Sequence, residues 1–267
     1  MVIEMARIQM NYPGVGNASM DIFIPEYSGA EERAGITEED FYGGKFPVLW
    51  LLHGEGENCS DWFRFTLLEE YAAQAGIAVV CPTIENSFGV NVKRGDPWES
   101  FLTGNLRTAV YSMFPFSEKR EDNFIAGISM GGYAALRLAL RYPALYSIAG
   151  SIDGILSLEE DMLSYWWNRE QLDYIFGEQG GEKSAKYQLL LLPKAEKEKP
   201  AIYLTCDKSN RQFEENRKMK KELDQNGYES ILKETDGEDE GSERRNRQLK
   251  EMLLWISRKR NGEAQNL

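Results

Sequence analysis

Five segments of the chain are apolar almost without interruption: PVLWLLHG (Pro47–Gly54), GIAVVCP (Gly76–Pro82), NFIAGIS (Asn123–Ser129), LYSIAGSID (Leu145–Asp153) and AIYLTCD (Ala201–Asp207). Short runs of this kind, with little polar alternation, predict strands buried on both faces, the mark of a parallel sheet covered by helices. Between them, apolar positions recur at helical spacing. Phe65, Leu68, Tyr71 and Ala72 share one face of Trp62–Ala75, and Trp98–Phe114 reads as a helix stopped by Pro115. GGYAALRLALRYP (Gly131–Pro143) is a helix that ends before its proline. Glu214–Gln225 and the amphipathic Arg244–Arg258 are two more, with a weaker strand, YESILKE (Tyr228–Glu234), between them. Ahead of all these, Met5–Asn11 and Ser19–Pro25 read as short strands about the turn-rich PGVGN, followed by a loop from Tyr27 to Lys45. Strands alternating with helices mean βαβ units, so one α/β domain with a mainly parallel sheet is expected over residues 1–267. The rhythm breaks at about 154–199, where Trp166, Trp167, Tyr174 and Phe176 gather. That insertion is either a few helices packed over one end of the sheet or a partial lid whose aromatics line a pocket.

Composition narrows the chemistry. The chain has 267 residues, 31 Lys+Arg against 43 Asp+Glu and a formal charge of −12. This balance argues against a nucleic-acid backbone or an anionic membrane surface as partner. No run of 18 apolar residues suggests a membrane span, and MVIEMARIQMNY lacks the basic and apolar regions of a secretory signal, so a cytoplasmic location is expected. Cys59, Cys81 and Cys206 are widely spaced and form no CxxC, which indicates neither a disulfide framework nor a zinc site. The acidic stretch Asp236–Glu240 resembles the start of a calcium loop, but Arg247 stands where a bidentate glutamate is required; no metal is expected. No phosphate-binding glycine loop is present, so no cofactor is expected either. There is one histidine, His53, and any reaction that needs an imidazole must use it or do without.

Gly127-Ile128-Ser129-Met130-Gly131 is a G-x-S-x-G sequence with a strand immediately before and a helix immediately after. A sharp strand-to-helix turn there holds the serine strained and exposed, at a helix N-terminus that favours a developing anion. Ser129 is therefore the candidate nucleophile. His53-Gly54-Glu55 ends the Pro47–Gly54 run, and in this geometry the strand-end loop and the residue after the serine supply the oxyanion-hole amides. The expected donors are the backbone N–H groups of Glu55 and Met130. His53 then shapes the loop, with a general-base role as the alternative.

The segments HGEGENCSDW (His53–Trp62), GISMGGYAALRLAL (Gly127–Leu140) and FGE (Phe176–Glu178), with the strand ending at Cys206, resemble the esterase D group of α/β-hydrolases, in particular bacterial tributyrin and acetyl-ester esterases. The resemblance runs from about Met5 to Trp255. It implies an eight-stranded, mainly parallel sheet, hydrolysis of short-chain or sugar acyl esters by a Ser–His–Asp triad, and a small-molecule ester or acylated sugar as partner, with a homo-oligomer left open. Two positions depart from the pattern. The triad acid of C-G-x-x-D falls on Asn210, and the histidine of G-x-H-[DE]-W falls on Asp239. A carboxylate near pKa ~4 is a poor base for a serine hydroxyl. The expectation is a degenerate triad, a pseudoenzyme inactive or strongly impaired as an esterase. The rivals are an active esterase using Asp239 or His53 as base, and a non-catalytic protein holding a ligand among His53, Trp62, Phe88, Trp98, Trp166 and Trp167.

Overall fold

The computed structural model describes residues 5–12, 15–158, 167–177, 189, 198–237 and 241–262. Eight strands form one sheet: β1 (Met5–Tyr12), β2 (Gly16–Phe23), β3 (Val48–Leu52), β4 (Ala78–Pro82), β5 (Asn123–Ile128), β6 (Ile148–Ile152), β7 (Ala201–Asp207) and β8 (Ser230–Thr235). Their spatial order is β1-β2-β4-β3-β5-β6-β7-β8. The β1–β2 and β2–β4 pairs are antiparallel, and every pair from β4 through β8 is parallel. This is the eight-stranded, mainly parallel α/β-hydrolase sheet with helices on both faces.

Strand alternation explains why the central strands are apolar throughout. Trp50, Leu52, Val80, Ile125, Ala149, Ile202 and Leu204 enter one core layer, against Leu106, Val110, Tyr133 and Leu136. Their neighbours Leu49, Leu51, Val79, Phe124, Ala126, Ile148 and Tyr203 enter the other, against Trp62, Leu68, Tyr71, Leu249, Met252 and Ile256. The helices differ from the sequence expectation in instructive ways. The loop Tyr27–Lys45 contains α1 (Gly29–Arg33) and α2 (Glu38–Gly43), the latter begun by Thr37, whose side chain accepts from the Asp40 amide at 3.0 Å. Trp62–Ala75 is two helices, α3 (Asp61–Phe65) and α4 (Leu68–Ala75), because Thr66 is extended. Trp98–Phe114 comprises α5 (Trp98–Ser100), a π turn over Phe101–Asn105 and α6 (Leu106–Met113).

Four further helices follow: α7 (Met130–Arg141), α8 (Arg169–Phe176) in the insertion, α9 (Phe213–Gln225) and α10 (Gly241–Arg260). Asn168 caps α8 through a reciprocal pair with Gln171. The described stretch of the insertion is sewn to the loop after β4, since the Lys93 and Arg94 amides donate to the Ile175 and Tyr174 carbonyls at 2.9 and 3.2 Å. Among the described residues no helix is long and apolar enough to cross a membrane.

Candidate active site

Ser129 sits between β5 and α7 with φ +53° and ψ −118°, a backbone region that costs a non-glycine residue ~1–3 kcal/mol. The glycines around it show what enforces this. A Cβ on Gly127 would lie 2.3 Å from the Gly131 carbonyl oxygen, and one on Gly131 would lie 2.4 Å from the His53 carbonyl oxygen. One on Gly132 would lie 2.5 Å from Ser151 Oγ. The turn therefore presses α7 against the ends of β3 and β6 more closely than any side chain allows. Ser129 N–H donates to the Ile152 carbonyl at 2.9 Å and its carbonyl accepts from the Ile155 amide at 3.1 Å, which locks the residue while its side chain stays half-exposed.

Met130 is the first residue of α7, so its N–H belongs to the first-turn amides that have no acceptor inside the helix. Across from it, the loop after β3 is pinned at several points. Gly54 N–H donates to Glu57 Oε2 at 2.9 Å, Gly56 N–H to Asn86 Oδ1 at 2.9 Å, and Asn58 N–H to Asp61 Oδ2 at 2.7 Å. Glu55 is half-buried on this loop, and burial pushes its carboxyl up.

His53 is fully buried. Its Nδ1 lies 2.7 Å from the Gly54 carbonyl oxygen, and its Nε2 lies 2.9 Å from the Ile84 nitrogen. Ile84 N–H can only donate, so Nε2 accepts and Nδ1 carries the proton. Both ring nitrogens are thus committed to backbone, joining the loops after β3 and β4, and burial pushes the imidazole pKa down.

Asn210 is turned into its own loop: its Oδ1 accepts from the Gln212 amide at 2.9 Å, just ahead of α9. Asp239 lies outside the described residues. The acid that ends β7 is Asp207, fully buried. It accepts from the Ser209 amide at 2.9 Å, the Ser209 hydroxyl, Thr235 Oγ1 at 2.8 Å and the Gly237 amide at 2.7 Å. Burial pushes its carboxyl up, but the hydrogen bonds from Ser209, Thr235 and Gly237 outweigh burial and bring it down to about 2. Asp153, which follows β6 with φ +46°, accepts from the Asp207 amide at 2.9 Å. Arg244, from the first turns of α10, reaches both acids, 3.6 Å from Asp207 and 3.9 Å from Asp153. Arg245 beside it pairs with Glu57 and lies over the Trp62 ring, 5.4 Å from its centroid. Glu57, Asp153, Arg244 and Arg245 border a cavity of about 510 Å³ that also meets Ile128, next to Ser129. Sequence reasoning passed over Asp207, Asp153 and Arg244; the available signal was an acid closing a fully buried strand.

The aromatic residues separate into two groups. Trp62 is fully buried beneath α10, with Nε1 donating to the Leu52 carbonyl at 3.1 Å. Phe88 is fully buried among Tyr133, Trp167 and Phe176. Trp98 and Trp167 line a second cavity of about 350 Å³ between the loop after β4 and α8. Trp166 lies outside the described residues. Among the described residues no cluster of three His, Cys, Asp or Glu side chains is arranged to hold a metal, and the three cysteines are buried and free.

Comparison with known proteins places this geometry. The family model Esterase, described as "Putative esterase", matches residues 40–250. An acetyl esterase from Caldicellulosiruptor saccharolyticus is 28% identical over 211 residues, covering 75% of this chain and 79% of that protein. An S-formylglutathione hydrolase from Paracoccus denitrificans is 27% identical over 164 residues, 53% of this chain and 56% of that protein. Among solved structures, the fluorophosphonate-binding serine hydrolase FphF of Staphylococcus aureus superposes with a TM-score of 0.82 at 23% identity, over 95% of this chain and 98% of that one. MPT51 of Mycobacterium tuberculosis superposes with a TM-score of 0.76 at 15% identity, over 96% and 98%. At such identities the structural likeness speaks for the fold.

Proposed function

Because the chain belongs to the Esterase family of α/β-hydrolases, we propose that it keeps the nucleophile elbow of a serine carboxylesterase without the base that drives it, and is inactive or strongly impaired toward short-chain and sugar acyl esters. In this reading Ser129 is the nucleophile, and the Glu55 and Met130 amides face the developing oxyanion. Asn210 stands at the triad-acid position and Asp239 at the triad-histidine position.

The observation that carries the proposal is the state of the single imidazole. Hydrolysis through a serine needs a group that takes the hydroxyl proton and returns it to the leaving alcohol. His53 has both nitrogens bonded to backbone and is fully buried, so it has none to offer Ser129. Removing a triad nucleophile or base lowers turnover by up to ~10⁶, while oxyanion stabilisation and binding retain ~10³–10⁴ over water. The test is hydrolysis of p-nitrophenyl acetate and butyrate by wild type beside Ser129→Ala, from about pH 5 to about pH 10. Similar slow rates are expected. Turnover in the ordinary enzyme range of ~1–10³ s⁻¹, abolished by Ser129→Ala, overturns the proposal.

A second reading is favoured by the cavity of about 350 Å³ between the loop after β4 and α8. In it the protein acts in the cytoplasm by holding a small ester or acylated sugar rather than by turning it over. A cavity of this volume is in the range of small-molecule sites.

A further inference from the structure

Arg245 and Glu57 form a half-buried ion pair between α10 and the loop after β3, and the esterase reading leaves it without a role. Glu57 does two further things on its own loop. Its other carboxylate oxygen, Oε2, accepts from the Gly54 amide at 2.9 Å, and its own amide donates to the Gly54 carbonyl at 3.4 Å. One residue thus grips Gly54 on both sides. A Cβ on Gly54 would lie 3.2 Å from Glu57 Oε2 and 3.5 Å from Ile128 Cγ2, so the carboxylate is packed into a corner beside the strand that leads to Ser129.

Fixing Gly54 fixes the next amide. The peptide between Gly54 and Glu55 is planar and trans, so its carbonyl and its N–H point in opposite directions. The carbonyl is turned toward His53 Nδ1, 2.7 Å away, and toward the Glu57 amide. The Glu55 N–H therefore faces the other way, and among the described residues it has no acceptor. His53 holds this turn from the core. The Glu57 carboxylate holds it from the cavity side, and Arg245 holds the carboxylate. Arg245 is itself seated over the Trp62 ring, 5.4 Å from its centroid, and Trp62 donates to the Leu52 carbonyl at the end of β3 at 3.1 Å. Both ends of the clamp return to β3.

The geometry points to Glu57 and Arg245 as positioning residues for the oxyanion donor, with the guanidinium locking the carboxylate that sets the direction of the Glu55 amide. This rests on the reading of that amide as one that faces the developing oxyanion. Such a donor works only when it is aimed before the charge appears, and an error of ~1 Å in a reacting geometry can cost ~10²-fold. The Gly54 amide bonded to an ionised carboxylate makes a charge-assisted hydrogen bond, stronger than a neutral one. Without Arg245 the Glu57 carboxylate turns toward water, and Gly54 loses its hold on the cavity side.

The test is hydrolysis of p-nitrophenyl butyrate above the buffer rate by the full chain, resolved into kcat and KM, with urea midpoints measured alongside. Glu57→Ala and Arg245→Gln are each expected to lower kcat ~10-fold with KM little changed, because an aimed donor acts in the transition state. Combining them is expected to be no slower than Glu57→Ala alone, since Arg245 acts through Glu57. Arg245→Lys keeps a cation for Glu57 and is expected to restore most of the rate. A merely structural pair would lower the urea midpoint and leave kcat of the folded protein in place. Arg245→Gln, on the outer side of the pair, decides the matter if Glu57→Ala does not fold. Unchanged kcat in Arg245→Gln, a loss confined to KM, additive losses in the double variant, or Arg245→Lys as slow as Arg245→Gln would each overturn the inference. A wild type no faster than buffer would overturn it too, and would leave the impaired-esterase reading standing. Fast Ser129-dependent turnover removes that reading instead, and the same kcat ratios still decide whether the pair aims the donor.

Discussion

The turn around Ser129 and the loops that end β7 and β8 face the same end of the sheet, yet they are determined by different means. At Ser129 the geometry is written in backbone: Gly127, Gly131 and Gly132 admit no Cβ, and main-chain bonds to Ile152 and Ile155 fix the residue. Past β7 and β8 it is written in side chains, with Asn210 bonded to the Gln212 amide and Asp207 saturated by Ser209, Thr235 and Gly237. A backbone geometry enforced by packing persists whatever the chemistry does, because losing it costs folding. A proton relay depends on the identity of two side chains and can vanish by substitution with the fold intact.

The largest effect comes from restoring the side-chain half. On the proposed reading, Asn210→Asp combined with Asp239→His raises kcat/KM for p-nitrophenyl butyrate by ~10²-fold or more, and Ser129→Ala in that background removes the gain. A double variant no faster than wild type would remove Asn210 and Asp239 from the triad positions. Next in size is damage to the backbone half. Gly131→Ala places a methyl against the His53 and Leu52 carbonyl oxygens, at 2.4 and 2.6 Å, and is expected to cost ~3 kcal/mol in urea unfolding. Asn210→Asp alone, which keeps the acceptor for the Gln212 amide, is expected to cost under ~0.5 kcal/mol. Similar costs for the two would dissolve the contrast.

What the sequence discloses follows the same division. The central strands were legible because burial on both faces makes them continuously apolar, and the elbow because its glycines are a steric requirement visible as letters. The break between α3 and α4 was not, since Thr66 leaves the helix without a proline or glycine to announce it. Nor was the distinction among tryptophans: Trp62 beneath α10 and Trp98 beside a cavity are both nearly inaccessible, and periodicity reports burial without saying what lies on the far side. The convergence of Asp153, Asp207 and Arg244 joins residues from three elements, and only the sheet order brings them together.

Asp207 gives a smaller and pH-dependent test of the side-chain half. Its carboxyl is lowered from the ordinary 3.8 to about 2 in the folded state. A depressed carboxyl contributes stability above its unfolded pKa, and that contribution is lost as pH falls from about 4 toward about 2. Asp207→Asn is expected to cost ~2 kcal/mol at neutral pH, because its amide nitrogen cannot accept from the donors gathered there. Unfolding midpoints of the variant should also fall less steeply than wild type across that acid range. Parallel acid limbs would mean that other carboxylates set the acid sensitivity.

The smallest effect concerns Ser129 itself and bears on the comparison most directly. If its φ of +53° is imposed by the packing of β5 against α7, the serine carries strain that glycine does not. Ser129→Gly should then be stabilising by about 1 kcal/mol or less, the relief being partly offset by the greater unfolded-state freedom of glycine. Ser129→Ala keeps the Cβ and therefore the strain, so its urea midpoint should stay close to wild type with an unchanged slope. The difference between these two variants isolates the cost of holding residue 129 in that conformation from the cost of having a hydroxyl there. A destabilised Ser129→Gly would mean that the surroundings do not force the turn, and that the serine side chain helps to hold it. The division between a backbone-determined Ser129 and the side-chain-determined loops past β7 and β8 would then fail at its centre.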